Sequence, residues 1–424
     1  MYSNKKIIYA ENSATTRVRD EVAEVMLKVL KEDFGNPSSI HSFGRTAKSY
    51  LEEARENIAS LINAKADQIF FTSGGTESIN TVIFGVSKLI DEGFLKNKDR
   101  HIITTKIEHP AVKESLEYLE KKGWDITWLN VDKEGFINLE ELKSKISQKT
   151  LLVSIIHANN EIGTIQDLKK ISEICNKNNV LFHTDAIQSF GKIPIDVNNL
   201  NIDFISMSGH KIYGPKGIGA VYIKSVDKLS PILIGGGQEN KVRPGTENIA
   251  GIAGFGTAAK LISNEILFNA QKLRRLQIQL IERFSEVQNV IVTGSNLDKV
   301  KENVPDEKFT HRIAGHVSIC CKDTEGESLV LQADLKGIAV SSGSACSSKT
   351  DDNSVIKPSH VLIACGIPKD YVRGSLRITL GKDNSEDEIA YIFETMKNIL
   401  NIKKGNADSL RHCEEAQSAD VAIS

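Results

Sequence analysis

Phe204-Ile-Ser-Met-Ser-Gly-His-Lys-Ile-Tyr-Gly-Pro-Lys-Gly-Ile-Gly219 ends an apolar run with a lysine and then loosens the backbone with glycines. Strand-type residues, a charged side chain at their end and a Gly-Pro-x-Gly turn form the pattern of a sheet strand that delivers a functional group at its carboxyl end. The same punctuation recurs along the first 225 residues. Candidate strands are Gln68 to Thr72, His101 to Thr105, Asp125 to Leu129, Leu151 to His157, Val180 to Asp185, Phe204 to Ser208 and Gly219 to Ile223. Between them stand amphipathic stretches at helical spacing: Glu77 to Asp91, Ala111 to Lys122, Leu139 to Lys145 and Leu168 to Asn178. This alternation predicts β-α-β units and an α/β fold whose large domain carries a mainly parallel, seven-stranded sheet. In such sheets ligands gather at the carboxyl ends of the strands. There stand Ser73 to Thr76, Glu108-His109, Asn159-Asn160, Asp185 and Lys211.

A helical stretch from about Ile249 to Val287 follows the loop Gly235 to Thr246, and then the pattern changes. Strands at Gly315 to Cys321, Ile338 to Ser341 and Ser375 to Thr379, with helices at Glu325 to Leu335 and Glu386 to Leu400, predict a second, smaller α+β domain. Residues Gly405 to Ser424 are small and polar, and are expected to form a mobile tail.

Composition narrows the function classes. With 53 basic against 55 acidic side chains the net charge is −2, which gives no electrostatic case for nucleic acid or an anionic membrane. No run approaches the eighteen or so apolar residues that a membrane span needs, and the start has no apolar signal core, so a cytoplasmic protein is expected. The six cysteines, at 175, 320, 321, 346, 365 and 413, lack framework spacing, as free thiols in a reducing compartment would. No C-x-x-C or H-E-x-x-H is present, and no resident metal is expected. Of the pair Cys320-Cys321, one thiol is expected to face the core and one to face out, because strand neighbours point to opposite faces.

An isolated lysine in a polar loop is ordinarily a surface residue. Lys211, however, has a hydroxyl at Ser208, an imidazole at His210 and glycines about it, which is what a pyridoxal phosphate site requires: an amine for a Schiff base and donors for a phosphate. The other demands of that cofactor find candidates too. Phe71-Thr-Ser-Gly-Gly-Thr-Glu-Ser78 reads as strand, glycine turn and helix start, suited to an anion, although alone it reads as an N-cap. Asp185 ends a strand, where it offers a carboxylate to the ring nitrogen; His109 offers a flat partner for the ring and a proton carrier near neutral pH. Cys346, in Val340-Ser-Ser-Gly-Ser-Ala-Cys-Ser-Ser348, has no bulky neighbours, unlike the core-type cysteines 175 and 365.

These stretches resemble the pyridoxal phosphate-dependent cysteine desulfurases of the NifS/IscS type, in the class-V aminotransferase family, over roughly residues 7 to 400. The resemblance is carried by Ser-Ala-Thr-Thr (13 to 16), Phe-Gly-Asn-Pro-Ser-Ser (34 to 39), Thr-Ser-Gly-Gly-Thr-Glu-Ser (72 to 78) and Asn-Asn-Glu-Ile-Gly (159 to 163). It continues in Asp-Ala-Ile-Gln (185 to 188), Ser-Gly-His-Lys-Ile-Tyr-Gly-Pro-Lys-Gly (208 to 217), Arg-Pro-Gly-Thr (243 to 246) and Ser-Ser-Gly-Ser-Ala-Cys (341 to 346). It implies a homodimeric fold-type I enzyme, with residues 16–259 as the large domain. Residues 1–15 and 260–404 would form the small domain, bearing a mobile cysteine loop at about 341–357.

By the same resemblance Lys211 would hold the cofactor, Asp185 would pair with its ring nitrogen and His109 would stack on the ring. Asn160 and Gln188 would bond the substrate side and the ring oxygen. Gly75, Thr76, Ser208 and His210 would hold the phosphate, joined by Thr246 of the other subunit. Arg377 would clamp the carboxylate of L-cysteine, as a guanidinium fork suits. Cys346 would take the sulfur as a persulfide and hand it to an acceptor such as an iron-sulfur scaffold, for cluster assembly and tRNA thiolation; it could also ligate a transferred cluster.

The chain also departs from the family's pattern. Glu11 stands where aspartate is usual, the segment after Cys346 is several residues longer, Phe309 to Gly315 replaces the usual Pro-Asn, and Ser409 to Asp420 does not resemble the scaffold-docking tail. An aminotransferase or selenocysteine lyase, which would not need Cys346, and a partner-binding paralogue with little catalysis are the competing readings.

Overall fold

The computed structural model describes residues 7–94, 98–301, 311–343 and 358–400. The seven expected strands form one sheet in the order Ile69–Thr72, Gly219–Ile223, Phe204–Ser208, Leu181–Asp185, Leu152–Ser154, His101–Thr105 and Asp125–Leu129. Gly219–Ile223 runs antiparallel to both neighbours, and the remaining pairs are parallel. The run expected over Leu151 to His157 keeps its ladder only to Ser154. Beyond it Ile155 and His157 still donate to the carbonyls of His183 and Asp185, but a carboxylate oxygen of Glu108 takes the N–H of Ile156 at 3.0 Å.

Both sheet faces are covered, as a parallel sheet requires. Because side chains alternate, Ile103, Val153, Phe182 and Ile205 pack on one side with the helices Ser42–Ser60, Leu168–Lys177 and Ile249–Ser263. Ile102, Leu152 and Phe204 pack on the other with Gly75–Asp91 and Pro110–Lys121. The helices Asp20–Lys31 and Ser42–Ser60 lie outside the sequence expectation. Each buries a stripe at helical spacing, Val22 and Val29 in one and Ala47, Leu51, Ala54 and Ile58 in the other, against Ile249–Ser263. The expected long helix from Ile249 is two, Ile249–Ser263 and Ile266–Ser285.

The second sheet is antiparallel: Ser375–Thr379, His316–Cys321 and Val290–Val292. It packs Val317, Ile319, Leu376 and Ile378 against Leu280 and Phe284 and against Ile392 and Met396 of a helix over 386–400. The expectation that one thiol of Cys320-Cys321 faces out is corrected: both are buried. Cys321 belongs to this core and Cys320 to a separate cluster with Ile107, Ile156, Val361 and Val372, so both faces of the strand are covered.

Residues 8–16 join the two sheets. Ile8–Tyr9 pairs in parallel with Ile338–Ala339, and Thr379 exchanges backbone bonds with Ala10 (2.8 Å) and Asn12 (3.0 Å). Thr16 then meets the carbonyl of His210 through both its N–H and its hydroxyl, each at 2.9 Å. The tail 405–424, Cys346 and most of its expected loop, and Phe309 lie outside the described residues.

Candidate active site

The predicted site residues meet at the carboxyl end of the large sheet. Lys211 stands in the turn Gly209–Lys211 directly after Phe204–Ser208, and its Nζ donates to the carbonyls of Ser13 (2.5 Å) and Ala14 (2.7 Å). Gln188 Nε2 donates to the same Ser13 carbonyl at 2.8 Å, while His210 Nδ1 lies 3.2 Å from Thr15 Oγ1. The sequence pattern singled out the lysine but not the 13–15 backbone that receives it.

The glycine turn is shaped by close approach. A Cβ on Gly75 would lie 2.2 Å from Ile187 Cδ1 and 3.7 Å from Ser208 Cβ. The start of helix Gly75–Asp91, the serine before Lys211 and the second residue after Asp185 therefore share one corner. That helix's first N–H groups make the corner favourable to an anion. Glu77 of its first turn accepts from the Ser73 N–H (2.8 Å) and Arg243 Nε (2.8 Å). Burial works against its ionisation, but bonds from Arg243 and Ser73 win and hold the carboxyl below its ordinary value. Arg243 thereby ties the Arg-Pro-Gly-Thr loop to the turn. Thr246 is exposed and lines, with Ser73 and Gly217, a cleft of about 230 Å³. Thr76 is exposed at the same helix start.

Asp185 is buried, and its Oδ1 accepts the Ile187 N–H at 2.9 Å. Burial pushes its carboxyl up to about 6, against the pull of that N–H and of Lys211. Neighbouring Glu108 is enclosed; Thr105 Oγ1 donates to it at 2.6 Å, and burial pushes it up to about 8, with the charge of Asp185 adding to the rise. His109 caps the helix Pro110–Lys121, its Nδ1 accepting the Ala111 N–H at 3.1 Å. Burial, with Lys211, His360 and Arg377 nearby, lowers it to about 4, so its ring is neutral at pH 7.

Arg377 belongs to the other sheet and reaches across. Its Nη1 donates to the Asn160 carbonyl at 2.9 Å, beside His316 Nε2, 3.2 Å from the same oxygen. Asn159 holds this loop, its side chain accepting the N–H groups of Glu161 (2.8 Å) and Ile162 (3.0 Å). His316 and Glu161 escaped the sequence reading because neither a lone histidine in a strand nor a glutamate in a loop carries a distinguishing pattern. Cys346 lies outside the described residues. The four described cysteines are buried; burial pushes Cys365 up to about 12 and raises Cys175 and Cys320 as well, which makes them poor nucleophiles.

The arrangement fits a phosphorylated pyridine aldehyde at three points. An amine stands at the strand end, a helix N-terminus packs against Ser208, and the buried carboxyl of Asp185, pushed up by burial, is of the type that would pair with a protonated ring nitrogen.

Comparison with known proteins places the chain in a family. The family model for aminotransferase class-V matches residues 8–392. The chain is 44% identical over 397 residues to cysteine desulfurase IscS of Dictyoglomus turgidum, covering 93% of this chain and 95% of that one. It is also 44% identical, over 398 residues, to the protein of the same name from Methanosarcina thermophila, covering 94% and 93%. Among solved structures, a NifS-like protein superposes with a TM-score of 0.82 at 34% identity, covering 93% of this chain and all of the other. With this sheet, this lysine and these relatives, the chain belongs to the class-V aminotransferase family, among its cysteine desulfurases of the NifS/IscS type.

Proposed function

We propose that this chain is a pyridoxal phosphate-dependent cysteine desulfurase: it converts L-cysteine to L-alanine and captures the sulfur as a persulfide on Cys346. The observation that carries the reading is the convergence of Lys211, Asp185 and the Gly75 helix start in one corner of the sheet. Lys211 holds the cofactor, Asp185 its ring nitrogen, and Gly75, Thr76, Ser208 and His210 its phosphate. His109 stacks on the ring, Asn160 and Gln188 fix the substrate side and the ring oxygen, and Arg377 clamps the substrate carboxylate. When bound, pyridoxal phosphate supplies an electron sink that makes the substrate's α-proton removable and its sulfur open to attack.

The Lys211 amine would serve as the general base that moves the α-proton. The Cys346 thiolate attacks the substrate sulfur. A sulfur–sulfur bond forms, the carbon–sulfur bond breaks, and the carbon takes up a proton, so cysteine and an enzyme thiol become alanine and an enzyme persulfide. Sulfur then passes to an acceptor, an iron-sulfur scaffold in the first place and the tRNA-thiolation route in the second, and Cys346 is the residue to ligate a cluster in transit. Residues 16–259 serve as the cofactor domain, and 1–15 with 260–404 as the domain that brings Arg377 and Cys346.

We further propose a cytoplasmic homodimer in which Thr246 completes the partner's phosphate site. Phe34, Ile40, Phe43 and Ile234 are exposed apolar side chains that such an interface could bury. Buried free thiols suit a reducing compartment, and among the described residues no helix is long and apolar enough to cross a membrane.

The test is incubation with pyridoxal phosphate and L-cysteine, with alanine and sulfide measured together, beside Cys346→Ser. Alanine that disappears in the variant is expected. Alanine formation or transamination that persists without Cys346 moves the assignment to a lyase or an aminotransferase.

A further inference from the structure

Glu11 is an ionisable side chain to which the assignments above give no task, and strand alternation fixes its place in the fold. Ile8, Ala10, Val340, Leu376 and Ile378 point into the core of the small sheet. Their neighbours Tyr9, Glu11, Ser341, Arg377 and Thr379 therefore point the other way. Register sets them side by side: Glu11 stands opposite Thr379, and Ser341 opposite Arg377, along the strand Ser375–Thr379.

That face looks onto the carboxyl end of the large sheet. Tyr9 Oη donates to the Thr15 carbonyl at 2.8 Å, Thr379 Oγ1 accepts the Ser13 N–H at 2.9 Å, and Arg377 reaches the Asn160 carbonyl. The Ala14 N–H closes a turn on the Glu11 carbonyl at 2.9 Å, so the two carbonyls that receive Lys211 come directly after Glu11 and Asn12. Glu11 is half-buried. Burial raises its carboxyl above the ordinary value while the charges of Arg377 and then Lys211 pull it back, as befits a carboxylate near both cations. Glu161, the other carboxyl that feels Arg377, is buried and already bonded to Ser359 Oγ at 2.5 Å.

We propose that Glu11 is a charge filter for the substrate site: its carboxylate admits amino acids with one anionic group and repels those that carry a second. The inference rests on the reading of Lys211 and Arg377 as the groups that meet the substrate's amine and carboxylate. A ligand's α-carboxylate is compensated by Arg377. A second anionic group finds that guanidinium taken and a like charge beside it, which costs about tenfold or more in affinity away from bulk water. The neutral thiol of L-cysteine meets no such penalty. Repulsion of the wrong ligand is how a site gains specificity that attraction alone does not supply.

The experiment uses the full chain loaded with pyridoxal phosphate and compares wild type, Glu11→Gln, Glu11→Asp and Glu11→Asn. The probes are L-aspartate and L-asparagine, near-isosteres that differ by one charge at about pH 8. Each is read as a change in cofactor absorbance on titration and as competitive inhibition of alanine formation from L-cysteine, with bound cofactor per chain measured beside them. Wild type is expected to bind asparagine at least about tenfold more tightly than aspartate, and Glu11→Gln to bring the two within about threefold. Glu11→Asp retains the charge and should retain most of the preference. A side chain that only held its strand in place would weaken both ligands together and leave their ratio unchanged.

A wild type that binds the two probes equally, or a ratio that Glu11→Gln leaves as it was, overturns the inference. If Glu11→Gln does not fold, Glu11→Asn against Glu11→Asp repeats the comparison with another neutral and charged pair. Wild-type protein that forms no alanine from L-cysteine overturns the desulfurase reading, and the absorbance titrations then still decide the filter. An absorbance that responds to neither probe overturns the inference whatever L-cysteine does.

Discussion

The amine of Lys211 and the carbonyl of Ser13 meet at 2.5 Å across 198 residues of sequence, and the next carbonyl, of Ala14, receives the same amine at 2.7 Å. A lysine held by two carbonyls stands preset at the carboxyl end of the sheet, its rotamer freedom already spent before any ligand arrives. Lys211→Ala is expected to lose covalently held cofactor, read as the absence of a borohydride-fixed mass increment, and to lower alanine formation by about a thousandfold or more. Retention of the increment would move the anchoring role to another amine.

Gly75→Ala tests the corner where the phosphate would sit. The added methyl would meet Ile187 Cδ1 at 2.2 Å, so the Ile187 side chain or the helix start must shift, and either change alters the corner beside Ser208. We expect at least about tenfold weaker pyridoxal phosphate binding with a modest stability loss of about 1–3 kcal/mol. Ile187→Val in the same chain should restore part of the affinity in an absorbance titration, because it removes the clashing atom.

Glu108 makes stability fall as pH rises through neutrality. Its folded value is about 8 against an ordinary 4.5. A raised value contributes stability in full below the unfolded value and loses it as pH climbs through the folded one. Between pH 6.5 and 8 the folded chain holds a proton there that the unfolded chain has released, a slope of up to about 1.4 kcal/mol per pH unit. Glu161, at about 7, adds to the lower part of this window. The lowered histidines 109, 157 and 183 act below it, between the unfolded histidine value and about 4 or 3. Above it Lys192, lowered to about 8, opposes the trend. Thermal melts of Glu108→Gln should show a flatter decline from pH 6.5 to 8; an unchanged slope would exclude Glu108 as its source.

Glu239 holds the strand that leads to the glycine turn. Its carboxylate accepts the Phe71 N–H (2.7 Å) and Arg55 Nη2 (2.7 Å) while Glu239, Asn240 and Lys241 run through positive φ of 46°, 50° and 67°. Removing one partner of so enclosed a pair strands the other, so Glu239→Ala should cost about 3–5 kcal/mol in urea unfolding. The double variant with Arg55→Met should cost less than the two single changes summed.

The large sheet was legible because its strands are short apolar runs set between stretches of helical period, and because chemistry stands where several of them end. Lys211, Asp185 and the Gly74-Gly75 turn were visible for that reason. The helices over 20–60 were not, since their apolar stripes are sparse and no strand precedes them to set a β-α-β rhythm. Glu161 was invisible as a buried carboxyl because its partner, Ser359, stands 198 residues away. The thiol pair misled for a similar reason: alternation tells which faces two neighbours take, but whether a face meets solvent depends on what packs there, and here Val361 and Val372 do.

The stitching of residues 8–16 between the sheets sets an order of events during synthesis. Ala10 and Asn12 bond to Thr379, and Ser13 and Ala14 receive Lys211, so the segment made early has no complete seat until the ribosome has passed Thr379. A nascent chain therefore carries Lys211 for at least 168 further residues, counted from position 211 to 379, before its pocket closes. The lysine's enclosure is in this way completed late, and a chain broken off before Thr379 lacks part of it.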